Sequence, residues 1–365
     1  TYMIIRQQNN DATWYHITTY SDLPEELRKL EPLAYNLRFE WQPRLKDLFE
    51  RIDADLWQEV RHNPVLFLRR LSQERIEAVM GDQVLLGSID EAYKSLINYL
   101  AEPADESRPS VAYFSMEYGL SNVLHIYSGG LGVLAGDYLK EASDSNVRMV
   151  AVGLLYRQGY FSQTIDENGK QIASYKMENF YDLPLTKVQT DQGEPLTIAV
   201  PMGQTTVYAS VWRVAVGRIS LYLLDTDIDM NGEWDRGITA RLYGGDWENR
   251  LRQEMLLGIG GIKLLQALQI KTDIYHMNEG HAAFINVERL AEMVEAGHAF
   301  DRALELVRAS SLYTVHTPVP AGHDYFEEEL IGRYLYDYAR RMGLEWKDFI
   351  DLGKETPGAE GKFSM

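Results

Sequence analysis

An α/β fold, a parallel sheet preceded by a helical extension, is what this sequence predicts, on three observations. Short apolar runs at 111–115, 147–156, 273–277 and 311–315 alternate with stretches of helical periodicity. Strand, helix, strand, helix in that order means parallel strands joined by right-handed crossovers. Ahead of them, residues 22 to about 100 carry helical spacing. Polar residues gather directly after the apolar runs, at Glu117, at Asn278, Glu279 and His281, and at His316, where a sheet of this kind binds its ligand.

The helical extension is read from its ends and its periodicity. Asp22-x-x-Glu25 and Ser88-x-x-Glu91 have the spacing of capping boxes, and Asn63-Pro64 puts proline at a first helical position. Leu45, Leu48, Phe49 and Ile52 recur at helical spacing, followed by Leu56 and Val60, as in an amphipathic packing layer. The proline- and charge-rich stretch from Glu102 to Pro109 places a domain boundary there, giving a helical extension over 1–107 and a sheet domain over 108–365.

Within the sheet domain the run after Val111 reads as a buried strand, and a second follows the glycine-rich helix at 147–156. Two β-rich runs between Thr205 and Asp225 flank Val216-Gly217-Arg218 as a hairpin inserted into the sheet. A long helix spans about 248–268. The strand at 273–277 runs into a helix over 281–295, and the strand at 311–315 follows a helix over 302–309.

The glycine-rich stretch Ser128-Gly-Gly-Leu-Gly-Val-Leu-Ala-Gly136 feeds a helix running through Leu139 and Ala142. Unpaired N–H groups, the helix dipole and missing Cβ atoms make such a start suited to an anion. The spacing Gly130-x-Gly132-x-x-x-Gly136 is one residue longer than the dinucleotide fingerprint and lacks a Gly-Lys-Ser/Thr, so neither nicotinamide dinucleotide nor P-loop chemistry is supported. A tight turn whose glycines only relieve strain fits the same residues.

Composition narrows the rest. With 36 basic and 54 acidic residues the net charge is −18, a field that repels nucleic acid and anionic membranes. There is no cysteine, which excludes disulfides, thiolate nucleophiles and cysteine-based zinc sites. Residues 1–10 lack the pattern of a signal peptide and no run is long enough to span a membrane, so the expected location is the cytoplasm.

Three further candidates carry bland readings beside functional ones. Asp227-x-Asp229-x-Asn231-Gly232 has the first half of a calcium loop, but Ile238 stands at its twelfth position, as in an Asx-rich surface turn. His276 and His281 flank Glu279 five residues apart, which does not share a helix face for zinc; no metal is expected. Asp246, in Leu242-Tyr-Gly-Gly-Asp246, is either a helix N-cap or a site residue beside Tyr243. Polar groups converging after buried strands suit a hydroxyl-rich ligand such as a sugar.

Together these stretches resemble the α-glucan (glycogen/starch/maltodextrin) phosphorylase family in its shorter bacterial and archaeal form, over nearly the whole chain. Leu37-Arg-Phe-Glu-Trp41, Leu48-Phe-Glu-Arg-Ile52, Asp55-Leu-Trp57 and His62-Asn-Pro64 look like the helical extension of that branch. Val111-Ala-Tyr-Phe-Ser-Met-Glu-Tyr118, Ser128-Gly-Gly-Leu-Gly132, Leu242-Tyr-Gly-Gly-Asp246, His276-Met-Asn-Glu-Gly-His281 and Tyr313-Thr-Val-His-Thr-Pro318 look like its sheet-domain motifs, in the right order. The chain departs in having Arg38 and Phe39 where relatives commonly have paired tryptophans.

The resemblance implies the Rossmann-like N-terminal half of a B-type glycosyltransferase (GT-B), and reversible phosphorolysis of α-1,4-glucan or maltooligosaccharide by orthophosphate to glucose 1-phosphate with retention. It assigns the main-chain N–H groups of Gly130, Leu131 and Gly132 to the substrate phosphate, and His316 to the glucose and the oxocarbenium-like transition state. Glu117, Tyr243, Asn278, Glu279 and His281 would shape the sugar site, with Asp246 in a gate loop. The family's cofactor is pyridoxal 5′-phosphate, whose Schiff-base lysine belongs to a C-terminal domain this sequence lacks. The expectation is therefore that these residues alone bind the cofactor poorly and do not catalyse, and that an uncovered apolar face favours a homo-oligomer. A nucleotide-sugar glucosyltransferase of the glycogen synthase type and a non-catalytic glucan-binding subunit are the competing readings.

Overall fold

The computed structural model describes residues 3–9, 12–18, 22–318, 323–356, 358 and 361–365. They form two compact units, one running to Ala101 and including Asp182–Pro184, the other made of Glu102–Tyr181 and Leu185–Met365.

The first unit opens with an antiparallel hairpin, Met3–Asn9 against Ala12–Thr18, and continues as helices Leu30–Tyr35, Pro43–Ile52, Ala54–Glu59, Pro64–Arg70, Gln73–Gly81 and Gln83–Ala101. Leu45, Leu48, Phe49 and Ile52 are buried together as their spacing predicts, and Phe49 stacks on Trp57 with ring centres 5.0 Å apart. Asn63 caps the helix that Pro64 begins, accepting from the N–H groups of Val65 and Leu66. Asp182 joins this unit through its carbonyl, which accepts from the Asn63 amide at 2.9 Å, and its carboxylate, paired with Arg69 at 2.7 Å.

Neither predicted capping box forms. Asp22 faces Arg28 at 3.4 Å, and the first helical turn begins at Leu27 with no side-chain cap. Ser88 lies inside the helix Gln83–Ala101 and donates to the Val84 carbonyl, because Asp82 has already capped that helix through the N–H groups of Val84 and Leu85. A capping side chain needs orphan N–H groups ahead of it, and only the residue just before the first turn faces them.

The second unit is mixed α/β. Its main sheet runs, in order, Ser311–Thr314, Ile274–Asn278, Val111–Phe114, Met149–Leu154, Ile219–Asp225, Thr205–Val216 and Thr186–Lys187, with Thr197–Met202 also on Thr205–Val216. The first five strands are parallel and the remainder antiparallel. Thr205–Val216 and Ile219–Asp225 make the predicted hairpin about Gly217. The long predicted helix is Trp247–Met255 running through a π turn, Leu256–Gly260, into Gly261–Ala267. Helices Phe284–Glu295 and Phe300–Ala309 connect the strands Ile274–Asn278 and Ser311–Thr314. Among the described residues no helix is long and apolar enough to cross a membrane.

The glycine-rich stretch is the start of the helix Gly130–Asp144. This helix meets the chain after the first sheet strand backbone to backbone. Gly119 donates its N–H to the Gly132 carbonyl at 2.7 Å, and a Cβ on Gly136 would collide with the Gly119 carbonyl. Replacing Gly136 by alanine should therefore push the helix off its seat and lower the unfolding free energy by about 1–3 kcal/mol, the usual range for overpacking. Urea unfolding of Gly136→Ala against the parent chain measures it, and equal midpoints would contradict the close approach.

Candidate functional site

Each parallel strand in the middle of the sheet ends in a polar segment, and two buried carboxylates organise them. Glu117 follows the strand Val111–Phe114. Its Oε2 accepts the Ser128 N–H at 2.7 Å, and its Oε1 accepts the Tyr243 hydroxyl at 2.6 Å. A Cβ on Gly132 would stand 2.7 Å from the same Oε2 and 2.5 Å from the Tyr127 Cβ, so only glycine lets the helix start lie against Glu117. Tyr243 adopts φ 55°, a left-handed conformation that side chains avoid unless their surroundings hold it. Burial and the neighbouring Glu117 carboxylate push its hydroxyl pKa well up, so it remains a donor.

Glu279 follows the neighbouring strand and also has positive φ, 63°. Its Oε1 accepts three hydrogen bonds, from the His316 N–H at 2.7 Å, the Thr317 N–H at 2.9 Å and the Thr317 hydroxyl at 3.1 Å. The segment after the edge strand is thereby held by its backbone, and the His316 side chain stays exposed. Asn278, fully buried, donates its amide to the Ser115 hydroxyl at 3.0 Å.

His281 is buried beside a charged group that the sequence reading did not single out. Its Nε2 lies 3.5 Å from the Asp324 carboxylate, which Arg250 holds through Nε at 3.1 Å and a terminal nitrogen at 2.9 Å. Arg250 also pairs with buried Glu254 at 3.2 Å and lies over the Tyr243 ring, 4.3 Å from its centre. Burial, helped by the Asp324 carboxylate, pushes the Glu254 carboxyl well up. Burial also raises Asp324, but Glu254 and Arg250 outweigh it and leave that carboxyl below its ordinary value. Burial, reinforced by Arg250, lowers His281 to about 4, and burial with His316 nearby lowers His276 to about 4.

The sequence-derived residues thus fall into two sets. Glu117, Gly132 and Tyr243 meet directly, Glu279 meets His316 through its backbone, and Tyr243 and His281 have ring centres 5.9 Å apart. Gly130 and Leu131 lie in the first turn of a helix that no side chain caps. Asp246 stands apart: it is exposed and accepts the Asn249 N–H at 2.9 Å as the N-cap of Trp247–Met255. Asp227, in the half calcium loop, is paired with Arg236 and Arg157. Arg250, Glu254, Asp324 and Ser115 are the polar members that sequence reasoning missed. An Arg–Glu pair four apart on one helix was the available signal for two of them.

Buried polar atoms of the cluster without a hydrogen-bond partner include Asn278 Oδ1, Glu279 Oε2 and His281 Nδ1, together with both Glu254 carboxylate oxygens and His276 Nδ1. The first two are acceptors, and the third is one when the Nε2–H faces Asp324. Buried acceptors without donors could take hydrogen bonds from hydroxyl groups, and an uncapped helix start has N–H groups that could meet an anion. The cluster contains no lysine, so it offers no amine for a Schiff base. Among the described residues no group of three or more metal-ligating side chains is placed to hold a metal ion.

A family described as a protein of unknown function (DUF3417) matches residues 23–124. The chain is 42% identical over 373 residues to a glycogen phosphorylase of Mycobacterium tuberculosis, covering 95% of this chain and 43% of that protein. It is 41% identical to a maltodextrin phosphorylase of Thermococcus litoralis, covering 92% of this chain and 41% of the relative. It is 36% identical to a glycogen phosphorylase of Aquifex aeolicus, covering 88% and 46%. The chain is thus homologous to glycogen and maltodextrin phosphorylases over nearly all its length, as its motifs imply, and spans less than half the length of these relatives.

The two depressed histidines set an acid limit on stability. In the unfolded chain they take up protons near pH 6.5, whereas in the folded chain they do so only near 4. Their contribution is fully present above about pH 6.5 and is lost as pH falls through about 4. The urea midpoint should drop across that window, and His281→Asn should remove part of the drop. A His281 imidazole that titrates by NMR at the ordinary value would contradict the buried neutral ring.

Proposed function

We propose that this chain supplies the glucan- and phosphate-binding part of an α-1,4-glucan phosphorylase. Such an enzyme uses orthophosphate to release the terminal glucose of a glucan or maltooligosaccharide as glucose 1-phosphate. The observation that carries the reading is the pairing of donor-less buried acceptors with an uncapped, glycine-rich helix start. A phosphorylated sugar needs both surfaces side by side, and the relatives' names agree. We further propose that the sheet unit is the Rossmann-like N-terminal domain of a GT-B enzyme over 108–365, with 1–107 as its helical extension.

In this reading the N–H groups of Gly130, Leu131 and Gly132 receive the substrate phosphate, as fixed donors that need no reorganisation when charge develops. Glu117 sets their position through Ser128 and sets Tyr243 opposite them. Asn278, Glu279 and His281 accept from sugar hydroxyls, and His316 lies against the glucose, its backbone held by Glu279 so that its carbonyl faces positive charge at the anomeric carbon. Asp246 holds the loop that admits the glucan. Pyridoxal phosphate, when bound in this family, supplies a phosphate that exchanges a proton with the substrate phosphate. The residues of this cluster give it no covalent attachment, so they bind and position only.

In the protein carrying this chain at its relatives' length, maltodextrin and orthophosphate should yield glucose 1-phosphate. His316→Ala keeps the carbonyl but removes the side-chain contact with the glucose, and should lower kcat/KM about tenfold, the size of one lost hydrogen bond. No phosphate-dependent release by the parent enzyme would refute the reading.

A further inference from the structure

The loop that sends Tyr243 to Glu117 also borders a second cavity. Gly244, Gly245 and Asp246, with Glu233, Trp234, Arg241 and Asn249, line a space of about 600 Å³, and it adjoins another of about 530 Å³ with which it shares Glu233, Gly237 and Ala240. Spaces of this size hold small ligands.

Trp234 is 61% exposed at the lip of this cavity and makes no ring–ring contact among the described residues. Its position is nonetheless held from below. The Arg252 guanidinium lies 5.2 Å from the ring centre, its side chain is 2% exposed, and it is fixed by the Asp235 carboxylate and the Trp234 carbonyl. A buried cation under an indole keeps the ring in place while more than half of the residue faces water.

The polar groups around the ring are also partly unspent. Asp246 gives one carboxylate oxygen to the Asn249 N–H, and Asn249 gives its amide nitrogen to the Gly244 carbonyl at 2.8 Å. That leaves one oxygen of each as an acceptor. Arg241, whose Nε is on Gln158, keeps its terminal nitrogens as donors. A flat apolar platform with both acceptors and donors at its rim suits a pyranose: C–H groups lie on the ring and hydroxyls reach the rim. The carboxylates of Glu233 and Asp246 disfavour a phosphate here, unlike the glycine-rich helix start.

We propose that Trp234, Arg241 and Asn249, with the Asp246 loop, form a maltooligosaccharide-binding subsite distinct from the Glu117–Glu279 cluster. The choice of an α-glucan as its sugar rests on the phosphorylase reading. The shared loop places an occupant of this cavity next to the segment that carries Tyr243.

The test is a titration of the chain with maltoheptaose, followed by calorimetry and by the indole N–H resonance of Trp234. The expected result is saturable binding that shifts this resonance. Trp234→Ala should weaken it about tenfold or more, a loss of the size seen when an aromatic anchor is truncated. Trp234→Phe should keep part of it with an unchanged fold, and His316→Ala should leave it in place. No binding to the parent chain, or equal binding by Trp234→Ala, overturns the subsite. So does a light-scattering mass that drops from dimer to monomer in Trp234→Ala without any glucan effect, since the indole would then be a contact between copies. Trp234-dependent binding in a protein that releases no glucose 1-phosphate would uphold the subsite and refute the phosphorylase reading alone, and the converse pattern would do the reverse.

Discussion

Two buried carboxylates, each just past the end of one of two neighbouring parallel strands, hold the loops that carry Ser128, Tyr243 and His316. Glu117 ties the glycine-rich helix start to the Tyr243 loop, and Glu279 ties the His316 segment to the sheet. A carboxylate taken out of water must be met by donors on its oxygens. At Glu117 and Glu279 half of those donors are backbone N–H groups of loops, from Ser128, His316 and Thr317. The constraint reaches into the sequence, because Gly132 has room for no side chain beside Glu117, and Tyr243 and Glu279 are held at positive φ to aim their groups.

The remaining polarity of the cluster is unbalanced in an informative way. Arg250 and Asp324 pair with each other, whereas Asn278 Oδ1, Glu279 Oε2, His281 Nδ1 and the Glu254 oxygens, the last beside the Arg250 charge, do not find hydrogen-bond donors within the protein. Each buried acceptor that faces no donor costs stability while it is left unpaired. In the proposed reading a ligand's hydroxyl groups would offset that cost, and the helix start would meet that ligand's anionic end.

Much of this architecture is legible in the sequence because its signals are local. Apolar runs of strand length, the helical spacing of Leu45, Leu48, Phe49 and Ile52, the glycine turn at 217 and the polar residues after each strand all lie within a few positions of one another. What sequence reading misses depends on distance along the chain. The Glu117–Tyr243 bond spans 126 residues and Arg250–Asp324 spans 74, so neither pairing has a pattern to announce it. Asp182 packs with the first unit through Asn63 and Arg69, more than a hundred residues away. The failed capping boxes at Asp22 and Ser88 err in the opposite direction, since a four-residue spacing is common in polar sequence and only the true first turn offers orphan N–H groups.

The central claim is that the glycine-rich helix start takes a phosphate while the acceptors beside it take the sugar. Titrating isotope-labelled chain with glucose 1-phosphate while following each backbone amide tests it most directly. The amides of Gly130, Leu131 and Gly132 should shift together with those of Glu279 and His316, and inorganic phosphate alone should move only the first three. Shifts confined to surface lysines and arginines, or a helix start that stays unmoved while the sugar ligand binds elsewhere, would contradict it.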